Sequence, residues 1–335
     1  MSDKQLLVGD PRFADVFGTR PKILWVASSG GHVAQAHRIE RLLGVNEQSM
    51  WITFDVPQTR SLLAGRRVVH VDYVAPRDMR AAVRAAKQIR RTAKAEHFDF
   101  VVSTGAAIGF FGLPMVALTG KVPVVYIESL ARSQGPSLTG KIMRAAPRIR
   151  TYTQYPSWEG GSWSYTGTIL DSFDSRAAES KHDVRKIFVT LGTIRPYRFD
   201  RLVDAVLKVL EPTDEVTWQL GVTERSDLPG AVHAELPGEE MNRLMAESDV
   251  IVTHAGVGSI LASLELGKSP IVAVRRGAHS EHVDDHQQFI AEVVAARGLA
   301  LSLDLDNPSR RTFETAASVV VSSTDATDQE DDRDQ

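Results

Sequence analysis

The chain has 335 residues, of which 43% are hydrophobic and 24% are charged, and this composition excludes a disordered chain and leaves room for two domains. It contains no cysteine, which excludes disulfide scaffolds, thiolate metal sites and cysteine nucleophiles. The formal net charge of −3 comes from the last fourteen residues, which carry −5 and leave the rest of the chain at +2.

The most apolar region, residues 108–127, is interrupted by Gly112, Pro114 and Pro123. It therefore falls short of the roughly 18 to 20 uninterrupted apolar residues of a membrane span, and we interpret it as a buried helix and strand. The first ten residues lack the basic-then-apolar pattern of a secretion signal. Together these features predict a cytoplasmic protein.

The first motif follows an apolar run at residues 22–27, which predicts a strand that ends in a glycine-rich turn. Gly30 and Gly31 allow the backbone to approach a ligand closely, and the helix that follows offers its N-terminal N–H groups to an anion. His32 lies at that helix N-terminus, where the dipole favours the neutral imidazole that a general base requires. The alternative is a tight turn without a ligand, in which His32 only caps the helix.

Short apolar runs alternate with helical segments along the whole chain. They cover residues 49–54, 68–71, 100–103 and 122–127 in the first half, and residues 186–191, 216–220, 250–253, 271–274 and 300–303 in the second half. This alternation predicts parallel sheets covered on both faces, which makes the fold class α/β. We predict two Rossmann-like domains whose sheets face a central cleft, with ligands at the carboxyl ends of the strands.

The domain boundaries follow from changes in composition. Residues 171–184 are polar and lack periodicity, so we place a linker there, between a first domain at 21–170 and a second domain at 185–321. Residues 1–20 are an N-terminal extension, and the acidic residues 322–335 are expected to be a disordered tail.

The second motif, at residues 253–259, again lies between an apolar strand and a helix. Gly256, Gly258 and Ser259 would let a nucleotide lie on the backbone while the helix N-terminus holds phosphate oxygens without a metal. The motif is not the dinucleotide-binding fingerprint, because no third glycine follows at the required spacing.

The third motif lies at residues 281–288. His282 and His286 are four residues apart and could share a helical face with Asp285, which is an imperfect metal-site pattern. Because the segment follows a predicted strand at the carboxyl edge of the sheet, we favour contact with a substrate. A solvated polar loop is the remaining alternative.

Residues 77–94 combine seven basic residues with one acid, Asp78, and carry Val83, Ala86 and Ile89 at helical spacing. A helix with this pattern can bind anionic lipid head groups, or it can be an ordinary solvated helix that covers a sheet. The segment has no interleaved aromatic residues, so we do not expect nucleic-acid binding.

Taken together, these segments resemble a known group of glycosyltransferases. Residues 23–43, the sequence YIESLAR at 126–132 and PSLTGK at 136–141 resemble the acceptor and membrane-side subunit of the eukaryotic two-subunit enzyme that adds the second N-acetylglucosamine to dolichol-linked sugar. Residues 186–301 resemble its catalytic partner and the C-terminal domain of the bacterial lipid II-forming transferase, of glycosyltransferase family 28. Arg275 with residues 281–287 resembles the capsule and exopolysaccharide versions, in which the two halves are often separate proteins.

The resemblance implies a GT-B glycosyltransferase that moves a sugar from a UDP-sugar, with inversion, to a polyprenyl-diphosphate-linked saccharide in exopolysaccharide, capsule or cell-envelope glycan synthesis. The domain at 21–170 would receive the acceptor, and the domain at 185–321 would bind the donor. The resemblance also implies a peripheral position on the inner face of the plasma membrane, an anionic membrane surface and a membrane-anchored protein as partners, and no metal or other cofactor.

The same resemblance implies roles for individual residues. His32 matches a catalytic base or acceptor-positioning residue, Glu128 is its rival, and the acceptor and phosphate side includes Gly30, Gly31 and Arg132. The residues implied to hold the nucleotide and diphosphate are Gly192, Thr193, His254, Gly256, Gly258 and Ser259. Those implied to meet the donor sugar are Asp285, His286 and Gln287, while Arg275 would neutralise the leaving UDP.

One position departs from the pattern, because Ala262 stands where relatives carry a glutamate that binds the ribose hydroxyls. The sugar stays open among glucuronate, galactose and N-acetylglucosamine, since Arg275 or Arg276 could pair with either a carboxylate or a phosphate. The alternative functions are a UDP-sugar epimerase with the same twin architecture and a non-catalytic UDP-sugar-binding accessory subunit.

Overall fold

The computed structural model describes residues 12–74, 78–105, 107–165, 167–179, 183–193, 195–282 and 287–324. The chain divides into two compact units. Unit 1 consists of Met1–Ser172 with Thr324–Gln335, and unit 2 consists of Phe173–Ser323. Unit 2 is therefore a continuous insertion into unit 1.

Unit 1 is an α/β unit. Its strands are β1 Ile23–Ala27, β2 Met50–Phe54, β3 Arg67–Val71, β4 Phe100–Gly105, β5 Val124–Ile127, β6 Ile149–Thr153 and β7 Trp163–Tyr165. Its helices are α1 Arg12–Phe17, α2 Gly31–Leu43, α3 Pro57–Leu62, α4 Met79–Ala95, α5 Ala107–Ala117 and α6 Leu138–Ala145. Among the described residues the strands pair in the order β3-β2-β1-β4-β5-β6-β7, and every pairing is parallel.

The core of unit 1 lies on both faces of this sheet, because successive strand residues point to opposite sides. Leu24 and Val26 of β1 pack in one buried cluster with Ile89 of α4. On the other face, Trp25 stacks on Trp51 of β2, whose indole N–H donates to a carboxylate on α2. Strands buried on both faces explain why the sequence shows continuous apolar runs instead of alternation.

Unit 2 repeats the design. Its strands are β8 Phe173–Ala177, β9 Lys186–Thr190, β10 Glu215–Gln219, β11 Ala231–His233, β12 Val250–His254, β13 Ile271–Ala273, β14 Leu301–Ser302 and β15 Val319–Ser323. Its helices are α7 Asp200–Leu207, α8 Gly238–Glu247, α9 Val257–Glu265, α10 Gln287–Ala296 and α11 Arg310–Ala317. In the described ranges, a parallel sheet has the order β11-β10-β9-β12-β13-β14, and β8 pairs with β15 as an antiparallel ribbon. The two parallel sheets confirm the predicted α/β class.

The segment 171–184 differs from the irregular linker that its polarity predicts. It contains β8, whose Phe173 is buried and lies opposite Ser323 in the ribbon with β15. Asp174, Ser175 and Arg176 of β8 are all polar, because a two-stranded ribbon buries little of its surface. The predicted disordered tail begins inside β15 at Ser322, and its residues 325–335 lie outside the described residues, as do residues 1–11 of the N-terminal extension.

The apolar region 108–127 is confirmed as a buried helix and strand, since it contains most of α5 and all of β5. Over the residues that the structure describes, no helix combines the length and apolarity needed to cross a membrane.

Each parallel sheet has a switch point, at which the connections that follow two adjacent strands run towards opposite edges of the sheet. In unit 1, β1 lies between β2 and β4, and in unit 2, β9 lies between β10 and β12. The loops after β1 and β4, and those after β9 and β12, therefore diverge at the carboxyl edge of their own sheet. Such a crevice is where open α/β sheets bind ligands.

Candidate functional site

The predicted base lies at the switch point of unit 1. His32 is the second residue of α2, and its ring Nδ1 lies 2.8 Å from the backbone oxygen of Thr104 in β4. Because a carbonyl oxygen can only accept, Nδ1 is the donor, and in the neutral imidazole Nε2 is then the acceptor nitrogen. His32 is thus oriented in the tautomer that a general base acting through Nε2 requires.

The turn between β1 and α2 has the predicted glycine geometry. Gly30 has φ +76° and caps α2 without a side-chain hydrogen bond. Its N–H donates to Oε1 of Gln58 at 2.6 Å, and the carbonyl of Gly31 accepts from Nε2 of Gln35 at 2.9 Å. The first N–H groups of α2 therefore meet no cap from Gly30, which suits an anionic ligand.

Gly105 is a site residue that the sequence analysis missed. Its φ of +119° favours glycine, and a Cβ here would lie 3.0 Å from Cε1 of His32 and 3.2 Å from the hydroxyl oxygen of Tyr126. The absent side chain lets the imidazole pack against the end of β4. No local signal marks this glycine, because its neighbours are distant in sequence.

Glu128, the rival base, is buried just after β5. Its Oε1 accepts from the hydroxyl of Tyr126 and the N–H of Ser129, both at 3.0 Å. Its Oε2 accepts from the N–H of Ser137 at 2.9 Å and from the Ser137 hydroxyl at 3.1 Å. Burial raises the pKa of the Glu128 carboxyl, and the N–H groups of Ser129 and Ser137 oppose that rise. Both carboxylate oxygens therefore accept from protein donors.

A buried polar network joins α2 to the loop after β5. The side chain of Gln35 donates to the hydroxyl of Ser129 at 3.2 Å and accepts the N–H of Leu130 at 2.7 Å. Gln154, directly after β6, donates to Oε1 of Gln35 at 3.2 Å. Arg132, expected on the acceptor side, lies on the same loop, where its N–H bonds to the Ser129 carbonyl at 2.9 Å. The network fixes this loop against the glycine turn.

At the switch point of unit 2, the imidazole of His254 lies between two glycines. A Cβ on Gly192 would lie 2.4 Å from Cε1 of the ring, and one on Gly256 would lie 2.2 Å from Nε2. Gly192 also has φ +72°. Two of the glycines expected to contact a nucleotide are therefore required by the packing of this ring.

The N-terminus of α9 lies beside this ring. Gly256 caps the helix without a side-chain hydrogen bond, and the N–H of Ile260 bonds to the Gly256 carbonyl at 3.0 Å. The N–H groups of Gly258 and Ser259 precede that bond, so they have no partner within the helix. With the positive end of the helix dipole, they can hold an anion at the carboxyl edge of the sheet.

Burial and, to a smaller extent, the nearby guanidinium of Arg275 lower the pKa of His254 to about 3, although a hydrogen bond to the Thr190 backbone acts in the opposite direction. The ring is therefore neutral at neutral pH. It can pack or hydrogen-bond beside an anion but adds no positive charge.

We expect His254 to make the free energy of unfolding fall as the pH falls. Above pH 6.5 the ring is neutral in both states, whereas between pH 6.5 and about 3 only the unfolded chain binds the proton. Chemical denaturation across this window should therefore show a steeper loss for the wild type than for His254→Asn. Equal pH slopes for the two proteins would contradict the lowered pKa.

Arg275, expected to neutralise the leaving UDP, follows β13. Its guanidinium is buried, with Nη1 donating to the backbone oxygens of Tyr197 at 3.0 Å and Glu281 at 2.9 Å, and Nη2 donating to that of Leu191. It also lies 4.9 Å from the ring centroid of Phe199. Its two terminal nitrogens therefore tie the loop after β9 to the loop after β13, whereas its buried Nε meets no acceptor among the described residues. The guanidinium donates to backbone carbonyls of loops that are distant in sequence. No sequence pattern predicts such contacts.

The motif at 281–288 is described only in part. Asp285 and His286, expected to meet the donor sugar, lie outside the described residues. His282 is buried and stacks on Tyr197 with ring centroids 6.0 Å apart, and Tyr197 is a second residue that the sequence analysis missed. Over the part of the chain that is described, no three histidine, aspartate or glutamate side chains converge as a metal site.

Gln287 begins α10 and is only 6% exposed. No described residue donates to its Oε1 atom. Leaving a buried acceptor unpaired costs about 1–3 kcal/mol, a cost that a donor from a ligand would relieve.

Ala262, the departure from the ribose-binding pattern, lies on α9. It packs against a small buried cluster formed by Phe188, Met245 and Ile251. At this position α9 therefore contributes a methyl group to packing and no ribose-binding carboxylate.

Comparisons with known proteins follow the division into units. Residues 186–303, which run from β9 past β14, match the glycosyltransferase family 28 C-terminal domain. Over 64 residues the chain is 39% identical to the UDP-N-acetylglucosamine transferase subunit ALG13 of Yarrowia lipolytica. That match covers 19% of this chain and 31% of that protein, so it spans about a third of the curated relative.

Two solved structures share the architecture of the chain. MurG of Acinetobacter baumannii has a TM-score of 0.51 at 19% identity, covering 88% of this chain and 89% of that one. A Listeria monocytogenes protein described as a UDP-N-acetylglucosamine 2-epimerase has a TM-score of 0.55 at 12% identity, covering 89% and 91%. Similarity at this level of identity shows the fold, and the chain has the GT-B fold.

Proposed function

We propose that this chain, whose second unit carries a glycosyltransferase family 28 C-terminal domain, is an inverting glycosyltransferase that moves a sugar from a UDP-sugar to a polyprenyl-diphosphate-linked saccharide. One observation carries the proposal. Within the family match, the glycine-flanked ring of His254 lies directly before the N-terminus of α9, which has no side-chain cap and suits a diphosphate.

On the donor side, the N–H groups of Gly258 and Ser259 would hold the diphosphate of the UDP-sugar. As the bond from the anomeric carbon to the diphosphate breaks, negative charge grows on UDP, and the helix N-terminus stabilises it. Thr193, exposed beyond the carboxyl end of β9, offers a hydroxyl to the nucleotide. The donor sugar would meet Gln287, together with Asp285 and His286.

On the acceptor side, Nε2 of His32 would take the proton from the attacking hydroxyl while Nδ1 keeps its hydrogen bond to Thr104. The hydroxyl oxygen then bonds to the anomeric carbon from the face opposite UDP, which inverts that centre. Gly30, Gly31 and Arg132 would orient the anionic part of the acceptor. Glu128 supports this site by holding Ser137, which caps α6.

The outer face of α4 supports a place at an anionic membrane surface. Its inward face is buried through small side chains and Ile89. The outward face exposes a row of basic residues, and Met79 and Val83 beside them are 57% and 40% exposed. The exposed basic residues of α4 are Arg80, Arg84, Lys87, Arg90, Arg91 and Lys94. Basic groups attract anionic head groups, while the exposed apolar side chains can enter the interface. Arg77, the first residue of the predicted basic segment, lies outside the described residues.

We expect the triple variant Arg80→Gln, Arg84→Gln, Lys87→Gln to bind phosphatidylserine-containing vesicles roughly a hundredfold more weakly, because each basic residue contributes about 1 kcal/mol. Vesicle co-sedimentation measures the change. A control variant with Arg185, Lys208 and Arg311 changed to Gln removes the same charge from exposed positions in unit 2. Equal losses in the two variants would contradict a specific role for α4.

The function is tested by UDP release from a panel of UDP-sugars, with and without a short polyprenyl-diphosphate-sugar acceptor and with and without EDTA. We expect release that requires both one donor and the acceptor and that survives EDTA. Conversion of the sugar without an acceptor would indicate the epimerase, and nucleotide-sugar binding without turnover would indicate the accessory subunit. Strict dependence on a metal would contradict the metal-free scheme.

We expect Glu128→Gln to lower the free energy of unfolding by about 1–3 kcal/mol, because an amide NH2 cannot accept from the donors around one carboxylate oxygen. The transfer rate should fall by less than about tenfold. Thermal unfolding and kinetics on the same preparation measure both effects. A stable variant with kcat reduced about 10²- to 10⁴-fold would instead make Glu128 the base.

A further inference from the structure

A side chain from the segment after β2 contacts the glycine turn of unit 1. Gln58, in α3, places its amide against Gly30, the residue that precedes α2. Its Oε1 accepts from the Gly30 N–H at 2.6 Å, and its Nε2 makes a longer contact, donating to the Gly30 carbonyl at 3.4 Å. One amide thus meets both hydrogen-bonding groups of a single glycine. A carboxylate could only accept, so the pair depends on the neutral amide.

The residue after Gln58 anchors this segment to the sheet. Thr59 is fully buried, and its hydroxyl donates at 2.6 Å to the carbonyl of Phe54, the last residue of β2. The same hydroxyl accepts from the N–H of Val56 at 3.3 Å. The side chain of Gln58 is exposed, but the backbone that carries it is therefore fixed to the carboxyl end of β2.

Gly30 needs an outside contact to fix its conformation. Its φ of +76° and ψ of −141° are rarely adopted by residues with a side chain, and glycine itself reaches many other conformations as easily. The Gly30 carbonyl accepts from the N–H of Ala34 at 3.3 Å, which is the first hydrogen bond of α2. The N–H groups of Gly31, His32 and Val33 precede that bond and have no partner within the helix. The conformation of Gly30 therefore sets where these three N–H groups point.

We propose that Gln58 is a positioning residue of the acceptor site, and that its amide holds the glycine turn so that the N–H groups at the start of α2 bind the diphosphate of the acceptor. The inference rests on the proposed function and adds to it a residue outside both glycine motifs. Gln58 acts through Gly30 and touches no reacting atom. Because Gln58 accepts from the Gly30 N–H, the diphosphate is bound by the N–H groups of Gly31, His32 and Val33.

Steady-state transfer tests the proposal, with a saturating UDP-sugar and a varied concentration of the short polyprenyl-diphosphate-sugar acceptor. Gln58→Met keeps the length of the side chain but removes both contacts to Gly30. We expect it to raise KM for the acceptor about tenfold, the effect of losing about one neutral hydrogen bond. The value of kcat and the Kd for UDP should stay within about twofold of the wild type. The Tm should not change, because the side chain is exposed.

A matched control removes another exposed glutamine of unit 1. Gln48 lies before β2, at the amino edge of the sheet, whereas Gln58 lies beyond the carboxyl edge. Gln48→Met makes the same chemical change away from the glycine turn and should leave KM and kcat unchanged. Equal rises in KM for the two variants would contradict a role specific to Gln58.

Gln58→Glu tests whether the acceptor's diphosphate lies beside the turn. The carboxylate can still accept from the Gly30 N–H, but its charge would repel a diphosphate bound at the start of α2. We expect a higher KM for the acceptor than in Gln58→Met at low salt, and the excess should shrink at about 1 M salt, where the screening length is about 3 Å. A KM no higher than that of the wild type at low salt would place the diphosphate elsewhere and overturn the inference.

Three results with Gln58→Met would also overturn the inference while leaving a transferase in place. An unchanged KM would show that the turn needs no support from this amide. A lower KM would show that the amide competes with the acceptor for the Gly30 N–H. A normal KM with a reduced kcat would show that Gln58 acts on the catalytic base. Failure of the folded wild type to transfer any sugar to the acceptor would instead overturn the proposed function itself.

Discussion

Replacing His32 with alanine is expected to slow sugar transfer about 10²- to 10⁴-fold, the range that general base catalysis contributes, and to leave UDP binding unchanged. The reason is geometric. The hydrogen bond from Nδ1 to Thr104 orients the ring so that Nε2 can accept a proton, whereas the residues proposed to bind the nucleotide belong to unit 2. Single-turnover transfer and calorimetric titration with UDP measure the two quantities separately.

Two further variants distinguish a role of His32 in proton transfer from a role in positioning the acceptor. His32→Gln can still donate to the Thr104 carbonyl but has no nitrogen that accepts a proton, so it should be as slow as His32→Ala. His97→Ala changes a largely exposed histidine of the same unit and should keep full activity. A His32→Gln variant with nearly normal kcat would show that His32 positions the acceptor and that another group takes the proton.

Gly256→Ala is expected to weaken UDP binding more than about tenfold and to lower the free energy of unfolding by about 1–3 kcal/mol. Gly256 has φ −90°, a conformation that alanine adopts without strain. The whole effect therefore comes from the new Cβ, which would lie 2.2 Å from Nε2 of His254. Either the ring or the N-terminus of α9 must move, and each displacement disturbs the diphosphate site. Calorimetry and chemical denaturation measure the two losses.

A double variant isolates that contact. When His254→Ala removes the ring, adding Gly256→Ala should cost little further stability, so the two changes should be strongly non-additive. Gly65→Ala is a useful contrast, because Gly65 has φ +76° and a Cβ there would meet no described atom within 4 Å, so this variant reports backbone strain alone. Additive losses in the double variant would show that Gly256 is required for another reason.

Local signals in the sequence were enough to predict most of the two parallel sheets. Apolar runs such as residues 22–27 and 186–191 became β1 and β9, because strands buried on both faces need continuous apolar residues. The strands that were missed are β6, β7, β8, β11 and β15. β7 and β11 have three residues each at sheet edges, and β8 is polar and pairs with β15, which lies at the opposite end of unit 2 in the sequence.

The site was predictable where the chemistry is local. The glycine turns and the helix N-termini follow their strands directly, at the carboxyl edges of the sheets. The loop contacts of Arg275 and the packing around Gly105 depend instead on residues far along the chain. Periodicity and spacing carry no information about such contacts, so burial of a guanidinium and packing of an imidazole appear only in the folded chain.

The insertion of unit 2 into unit 1 has a consequence for how the chain can be cut. Phe173 and Ser323, the first and last residues of unit 2, are partners across one ribbon, and the N–H of Thr324 bonds to the Ser172 carbonyl at 3.0 Å. Arg38 of α2 donates to the Ser172 hydroxyl and the Thr324 carbonyl. The two points at which the chain passes between the units are therefore both hydrogen-bonded to the same helix. Residues 173–323 therefore begin and end side by side, so a very short loop could join Ser172 to Thr324 across this segment at small entropic cost.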